Sequence, residues 1–331
     1  MKKERTISIG MISDDNFIMP TSVAITSIIL NKAEETHYEI YVLMAECSEE
    51  SKRKINKLNN LSEKCNVNII EVSLDKYKDI KQLAHIPIAC LLKFDICDII
   101  SDYDKLLYLD GDIIVRSDLW ELYNTDIDGN YAAAVKEMYC VENDNGNINA
   151  GVMLFNAKKI REEGLRDKFL ETRRSLGDRG SMDQQTFNIM FKGRYYYVDI
   201  KYNCVPGKLH EKGIVQYGVG RINEVYNANY SSINQLYDEA IIVHYATSAK
   251  PWVYTYIPEA KEWYSYYLQS PFKDEPFKLM GRLEFRVKKY ILIIKENGIV
   301  GVVKEIISAL KKRNKKKVKD SNRIDIDQEW G

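Results

Sequence analysis

No Cys-x-x-Cys pair occurs in the 331 residues; the six cysteines, Cys47, Cys65, Cys90, Cys97, Cys140 and Cys204, are scattered. That pattern argues against a zinc knuckle, a redox dithiol and a disulfide framework, and predicts small buried thiols in a reducing compartment. Net charge is missing as well: 48 Lys and Arg balance 48 Asp and Glu, so the composition does not draw the chain towards nucleic acid. No apolar run has the length of a membrane-spanning helix. The basic start, residues 1–5, soon meets Asp14 and Asp15, too early for a secretory leader. Internal repeats are absent. The expectation is a cytoplasmic protein of ordinary globular composition, 45% hydrophobic and 29% charged, long enough for one large domain and an appendage. One local imbalance breaks the charge neutrality, the basic run 311–319.

What is present is a β-α-β-α-β rhythm. Residues 6–12, 38–45 and 67–72 are short apolar strands. Between them lie a helix opened by Pro20 and a charged amphipathic helix over 48–65. Such alternation predicts right-handed crossovers and a mainly parallel sheet. Further on, the second half of 85–100 has a helical period. Strands are predicted at 131–135, 149–156, 195–200 and 241–244, and helices at 165–176 and 183–190. Beyond residue 271 two amphipathic stripes follow, Leu283, Val287, Ile291, Ile294 and then Val302, Ile306, Leu310.

Residues 105–115 are an apolar run broken at Asp110-Gly111-Asp112. The break places four carboxylate oxygens at the carboxyl end of a strand, where open α/β sheets bind their ligands. On an extended strand two side chains two residues apart point the same way and share a hard cation. A solvated turn is the competing reading of such a triplet. His244 ends an apolar strand and enters a small-residue loop that carries Lys250. One imidazole suits a manganese-like ion, and the loop lets backbone and ammonium approach a phosphate. Simple hydrogen bonding is the competing reading of that histidine.

Tyr108-Leu109-Asp110-Gly111-Asp112-Ile113, Asn149-Ala150-Gly151-Val152, Asp183-Gln184-Gln185 and His244-Tyr245 with Lys250-Pro251-Trp252 stand in this order and spacing. Together they resemble the family-8 retaining glycosyltransferases, and four motifs in register are more specific than any one. The resemblance implies an α/β protein of GT-A fold, with a mainly parallel central sheet flanked by helices. It implies a UDP-hexose donor (galactose or glucose), Mn²⁺ or Mg²⁺ as cofactor, and transfer with retention to a glycan or lipid-linked acceptor such as lipopolysaccharide or capsular polysaccharide. Position by position, Asp110, Asp112 and His244 match the metal ligands. Ile12, Asp14, Asn16 and Phe17 match the nucleotide stretch, with Phe17 on the uracil or, on the competing reading, in the core. Gly111, Thr247 and Lys250 fall beside the diphosphate. Asn149, Ala150 and Asp183 fall at the donor sugar, and Gln184 beneath the anomeric carbon, so Asp183 and Gln184 are the catalytic candidates. His85 is a further donor-facing candidate or a packed loop histidine. One departure stands out: where relatives carry Tyr-x-Arg, this chain has Leu91-Leu92-Lys93, and Lys93 keeps the charge without the planar fork.

Gln184 is a poor nucleophile, which favours front-face transfer with the leaving phosphate oxygen taking the acceptor's proton; Asp183 is the rival nucleophile. The division expected is a catalytic domain over 1–270, an amphipathic helical extension over 271–313 and a polar tail over 314–331. The extension either docks on an anionic membrane, at the inner face of the plasma membrane, or packs on the catalytic domain. Two other functions share the features: a nucleotidyltransferase, which should carry a basic glycine-rich loop where this chain has acidic 13–16, and a non-catalytic sugar-nucleotide-binding protein.

Overall fold

The computed structural model describes residues 5–83, 86–141, 144–211, 214–215, 218–247, 250–254 and 260–275. Apart from 252–254 these belong to one compact unit, Met1–Pro251 with Ile257–Pro276. The two stripes, the basic run, His85 and residues 248–249 of the Lys250 loop lie outside the described residues.

Three strands, β1 (Arg5–Ser13), β2 (Thr36–Ala45) and β3 (Cys65–Val72), lie side by side and parallel. β4 (Leu106–Leu109) adds to the other side of β1, also parallel. After the short β5 (Ile113–Val115) come β6 (Ala132–Lys136), β7 (Ile148–Phe155) and β8 (Tyr195–Tyr197), which complete a sheet of order β3-β2-β1-β4-β7-β6-β8. Within it β7 alone runs against the rest. Strands covered on both faces become nearly continuous apolar runs; β1 is buried throughout from Ile7 to Ser13. The order turns back on itself between β1 and β4, and at such a switch the loops at the carboxyl ends of the two strands part to leave a crevice. Asp14 follows β1 and Asp110 follows β4. A small hairpin joins β9 (His210–Glu211) to β10 (Ile214–Val215), and β11 (Ile242–His244) pairs with β5 in a separate two-stranded sheet.

Several predicted bounds change for local reasons. The charged helix predicted over 48–65 stops early: an α-helix over Glu49–Asn56 passes into a 3₁₀ turn over Lys57–Leu61, and Cys65 already belongs to β3. Asn59 explains the stop, because its amide donates to Val67 O (3.1 Å) and accepts from Val67 N (2.7 Å), a side-chain substitute for a strand partner that competes with helix. The stretch after Pro87 is a 3₁₀ helix, Ile88–Phe94, and a single turn, Ile96–Ile99. Gly10 of β1 makes room for that turn, since a Cβ there would lie 2.5 Å from Ile96 Cδ1. β8 ends at Tyr197, and Asp199 caps a 3₁₀ turn by accepting from Lys201 N at 2.8 Å.

The helix Met182–Met190 is held against the sheet by an aromatic cluster in which Phe94, Phe155, Phe169, Phe187 and Phe191 meet ring to ring at 5.2–5.6 Å. This packing fixes the position of Asp183 and Gln184 at the helix's first turn.

Candidate active site

The chain bends at Asp110-Gly111-Asp112 between β4 and β5. The two carboxylates therefore converge because of a turn, and not through the side-chain alternation of a strand that the spacing suggested. Two backbone bonds fix the bend: Asp110 N donates to Gly151 O (2.8 Å) and Tyr245 N donates to Asp112 O (2.9 Å). Gly111 stands at the middle of this bend. Its Cβ direction is filled by protein: a Cβ would meet Thr21 Oγ1 at 2.3 Å and Phe17 Cδ1 at 3.2 Å. Glycine is required there by the helix Ile18–Leu30 packed against the turn.

The β5–β11 register sets His244 opposite Ile113, the residue after Asp112. One ligand atom from each of Asp110, Asp112 and His244 lies within 4.8 Å of the others. His244 Nε2 is 3.2 Å from Asp112 Oδ1 and 3.7 Å from Asp110 Oδ2. Adjacent ligands of an octahedral cation with bonds near 2.1 Å lie about 3.0 Å apart, so this donor set fits a hard divalent ion after a small contraction. Lys250 Nζ sits 2.5 Å from Asp112 Oδ2 and donates to Tyr245 O at 2.7 Å. Burial acts to raise the Asp112 carboxyl, but the Lys250 ammonium and His244 outweigh it and hold the group well below the usual carboxylate range.

A second cation lies deeper. Lys93, 5% exposed, reaches Asp183 Oδ2 at 2.6 Å and Asp110 Oδ1 at 3.1 Å, and donates to Ala150 O at 3.1 Å. Its ammonium also faces the Tyr108 ring, 4.5 Å from the centroid, and Tyr108 OH donates to Asp110 Oδ1 at 2.6 Å. Burial pushes the Lys93 pKa down; the Asp110 and Asp183 carboxylates more than reverse this, so the side chain stays charged. Lys93 thus ties the acid at one end of the crevice to the acid at the other. Gln184 accepts from Ala150 N through Oε1 (3.1 Å) and donates through Nε2 to Glu137 Oε2 (3.3 Å). Asn149 donates to that same oxygen at 3.1 Å and accepts from Gly151 N at 3.0 Å.

The early stretch lies beside this cluster. Ile12 is buried in the core, Asp14 accepts from Phe17 N through Oδ1 (3.0 Å), Asn16 is exposed, and Phe17 is half-buried beside Gly111. Thr247 is half-buried and lies where a Cβ on Gly207 would stand, 2.8 Å from its Cγ2. The motifs did not point to Glu137 or Asn203, and they included Tyr108 without a role. The one signal for Glu137 was a carboxylate directly after an alanine-rich strand. Gly151 lay within a motif, but its reason was not legible: a Cβ there would stand 2.2 Å from His244 Cε1 and 2.7 Å from Asp110 Oδ2.

Residues 8–256 match the family described as glycosyl transferase family 8, three quarters of the chain. The chain belongs to that family. Among relatives, the glycosyltransferase GlyF of Streptococcus pneumoniae serotype 4 is 27% identical over 78% of this chain and 61% of its own length. The lipopolysaccharide 1,2-glucosyltransferase of Escherichia coli K12 is 22% identical over 88% of this chain and 86% of its own. With GlyE and GlyD the match spans 49% and 28% of the relative, so this chain corresponds to part of those proteins. A crystal structure of the galactosyltransferase LgtC with donor and acceptor sugar analogues superposes with a TM-score of 0.65 at 23% identity, over 80% of this chain and 96% of that one. The fold is the GT-A fold of these transferases, as the motifs implied. No helix among the described residues is long and apolar enough to cross a membrane.

Proposed function

We propose that this family-8 chain is a metal-dependent, retaining hexosyltransferase that takes galactose or glucose from a UDP-sugar and hands it to a cell-surface glycan or lipid-linked acceptor. The observation that carries the reading is the convergence of Asp110, Asp112 and His244 at the strand ends, with Lys250 on one side and Lys93 with Asp183 on the other. Asp110, Asp112 and His244 would hold the cation, Mn²⁺ or Mg²⁺, whose contribution is Lewis-acid stabilisation of charge on the diphosphate.

The protein's own groups set the rest. Lys250 stands beside the metal-side carboxylates as a fixed positive charge for the departing diphosphate, and a preformed charge needs no reorganisation when the bond breaks. Asp183 is 6% exposed and held by the Lys93 ammonium, which lowers its reactivity as a nucleophile. Gln184 has both ends of its amide engaged and is uncharged. Neither suits attack on the anomeric carbon, so we favour front-face transfer, in which a departing phosphate oxygen accepts the proton of the acceptor hydroxyl. Asp183 and Gln184 then shape the sugar pocket, and Phe17, Asp14 and Asn16 line the nucleotide end.

The test is UDP release measured with UDP-galactose, UDP-glucose and their N-acetylated analogues, with and without Mn²⁺. Turnover of one hexose donor that depends on the cation is expected. No turnover under any condition would favour a sugar-nucleotide-binding scaffold.

A further inference from the structure

His244 has a second ring nitrogen, and the structure shows what it meets. Nδ1 lies 2.8 Å from Asn203 Oδ1. Asn203 donates through Nδ2 to Asn149 Oδ1 at 2.9 Å, and Asn149 donates through Nδ2 to Glu137 Oε2 at 3.1 Å. This file of three hydrogen bonds begins at a carboxylate, which only accepts, and that beginning fixes the sense of every bond after it. Glu137 requires the NH₂ of Asn149. The carbonyl of Asn149 must then face Asn203, where it also takes the Gly151 N–H at 3.0 Å. Asn203 therefore presents NH₂ to Asn149 and its carbonyl to the imidazole, so Nδ1 carries hydrogen and Nε2 is the nitrogen left to offer its lone pair to a cation beside Asp110 and Asp112.

We infer that Glu137 is a positioning residue: through Asn149 and Asn203 it sets the tautomer and ring orientation of His244. Because Glu137 Oε2 also accepts from Gln184, one buried carboxylate registers the metal side of the site against the sugar side. Glu137 (6% exposed), Asn203 (3%) and His244 (2%) are shut away from water, so little solvent competes for these bonds. Glu137 is itself anchored: its Oε1 accepts from Met138 N at 3.0 Å and its backbone N–H donates to Asn147 O at 2.8 Å. A relay with a free end would transmit nothing. This inference rests on the proposed metal role of His244.

Partners behind a ligating histidine typically contribute about 10–100-fold in metal affinity. The experiment is Mn²⁺ binding to the full chain without donor, followed by the paramagnetic signal of the free ion, for the wild type, Glu137→Gln, Asn203→Leu and the double variant. Each single variant should bind Mn²⁺ roughly tenfold or more weakly, and the double variant no more weakly than the worse single one, because both cut one file. Wild-type binding that Glu137→Gln leaves within twofold, or losses that multiply in the double variant, would overturn the relay. A wild type that binds no Mn²⁺ would overturn the metal reading and the relay with it. Nitrogen-15 spectra of the histidine-labelled, Mg²⁺-saturated wild type provide a readout that needs no relay variant, His244 being assigned by its loss in His244→Asn. A protonated Nδ1 is expected, and a protonated Nε2 would overturn the assignment.

Discussion

Gly151→Ala tests the site through one methyl group. The added carbon would lie 2.2 Å from His244 Cε1, 3.0 Å from His244 Nδ1 and 2.7 Å from Asp110 Oδ2. Carbon atoms rest about 3.5–4.0 Å apart, so the imidazole must retreat by about 1.3 Å or the backbone of β7 must shift by as much. Neither is free to do so. Gly151 O holds Asp110 N at 2.8 Å, and Asn203 holds His244 Nδ1 at 2.8 Å. Overpacking of this kind costs roughly 1–3 kcal/mol of stability, whereas a misplacement of about 1 Å in a catalytic constellation costs on the order of 100-fold in rate. The variant should therefore melt only a few degrees below the wild type yet lose about two orders of magnitude in kcat/KM for UDP release, with weakened Mn²⁺ binding. Gly220→Ala is the control: nothing lies within 4 Å of its Cβ position on the helix Val219–Tyr226, and alanine there should be neutral or stabilising by up to about 1 kcal/mol. Wild-type turnover and Mn²⁺ affinity in Gly151→Ala would refute the placement of His244 and Asp110 in one metal site.

The remaining predictions probe the charges around that site. Lys93→Met strands Asp183 and Asp110 beside a buried apolar chain and should lower stability by about 3–5 kcal/mol in a denaturant titration; an unchanged midpoint would mean that water enters the crevice freely. Asp112→Asn removes a proposed ligand and the partner of Lys250, and should cut cation-dependent UDP release by at least about 100-fold with little change in fold by circular dichroism. Arg173, fully buried, donates to Gly177 O at 2.5 Å and Met182 O at 3.3 Å on the turn that leads to Asp183. Arg173→Leu should cost roughly 1–3 kcal/mol and lower kcat more than Mn²⁺ affinity, a split that steady-state kinetics and Mn²⁺ titration would show. Mn²⁺ at about 100 times its Kd should stabilise the wild type by about 2.7 kcal/mol relative to EDTA, seen as an upward shift of Tm that Asp112→Asn loses.

The parallel strands and the helices at 165–176 and 183–190 were legible because apolar periodicity and turn residues act locally. Gly164 and Gly177, both at positive φ, bracket the first of these helices. What escaped was set by contacts across the chain. Nothing near Asn59 announces that its amide will pair with Val67 and end a helix, and nothing near Glu137 announces a file of amides ending at residue 244. Motif reading finds residues that touch a ligand, and misses those that touch only one another. The charges show why the hidden set matters. Among the described residues, Lys93 and Lys250 place two ammonium groups against Asp110, Asp112 and Asp183. Lys93 is shared between Asp110 and Asp183, and Lys250 is bound to Asp112. The carboxylates nearest His244 are Asp110 and Asp112. A cation held there would sit between them, and a neutral imidazole with its lone pair turned inward is the form of His244 that would accept it without adding repulsion. The relay from Glu137 holds it in that form, so the hydrogen bonds behind the imidazole serve the ion proposed in front of it.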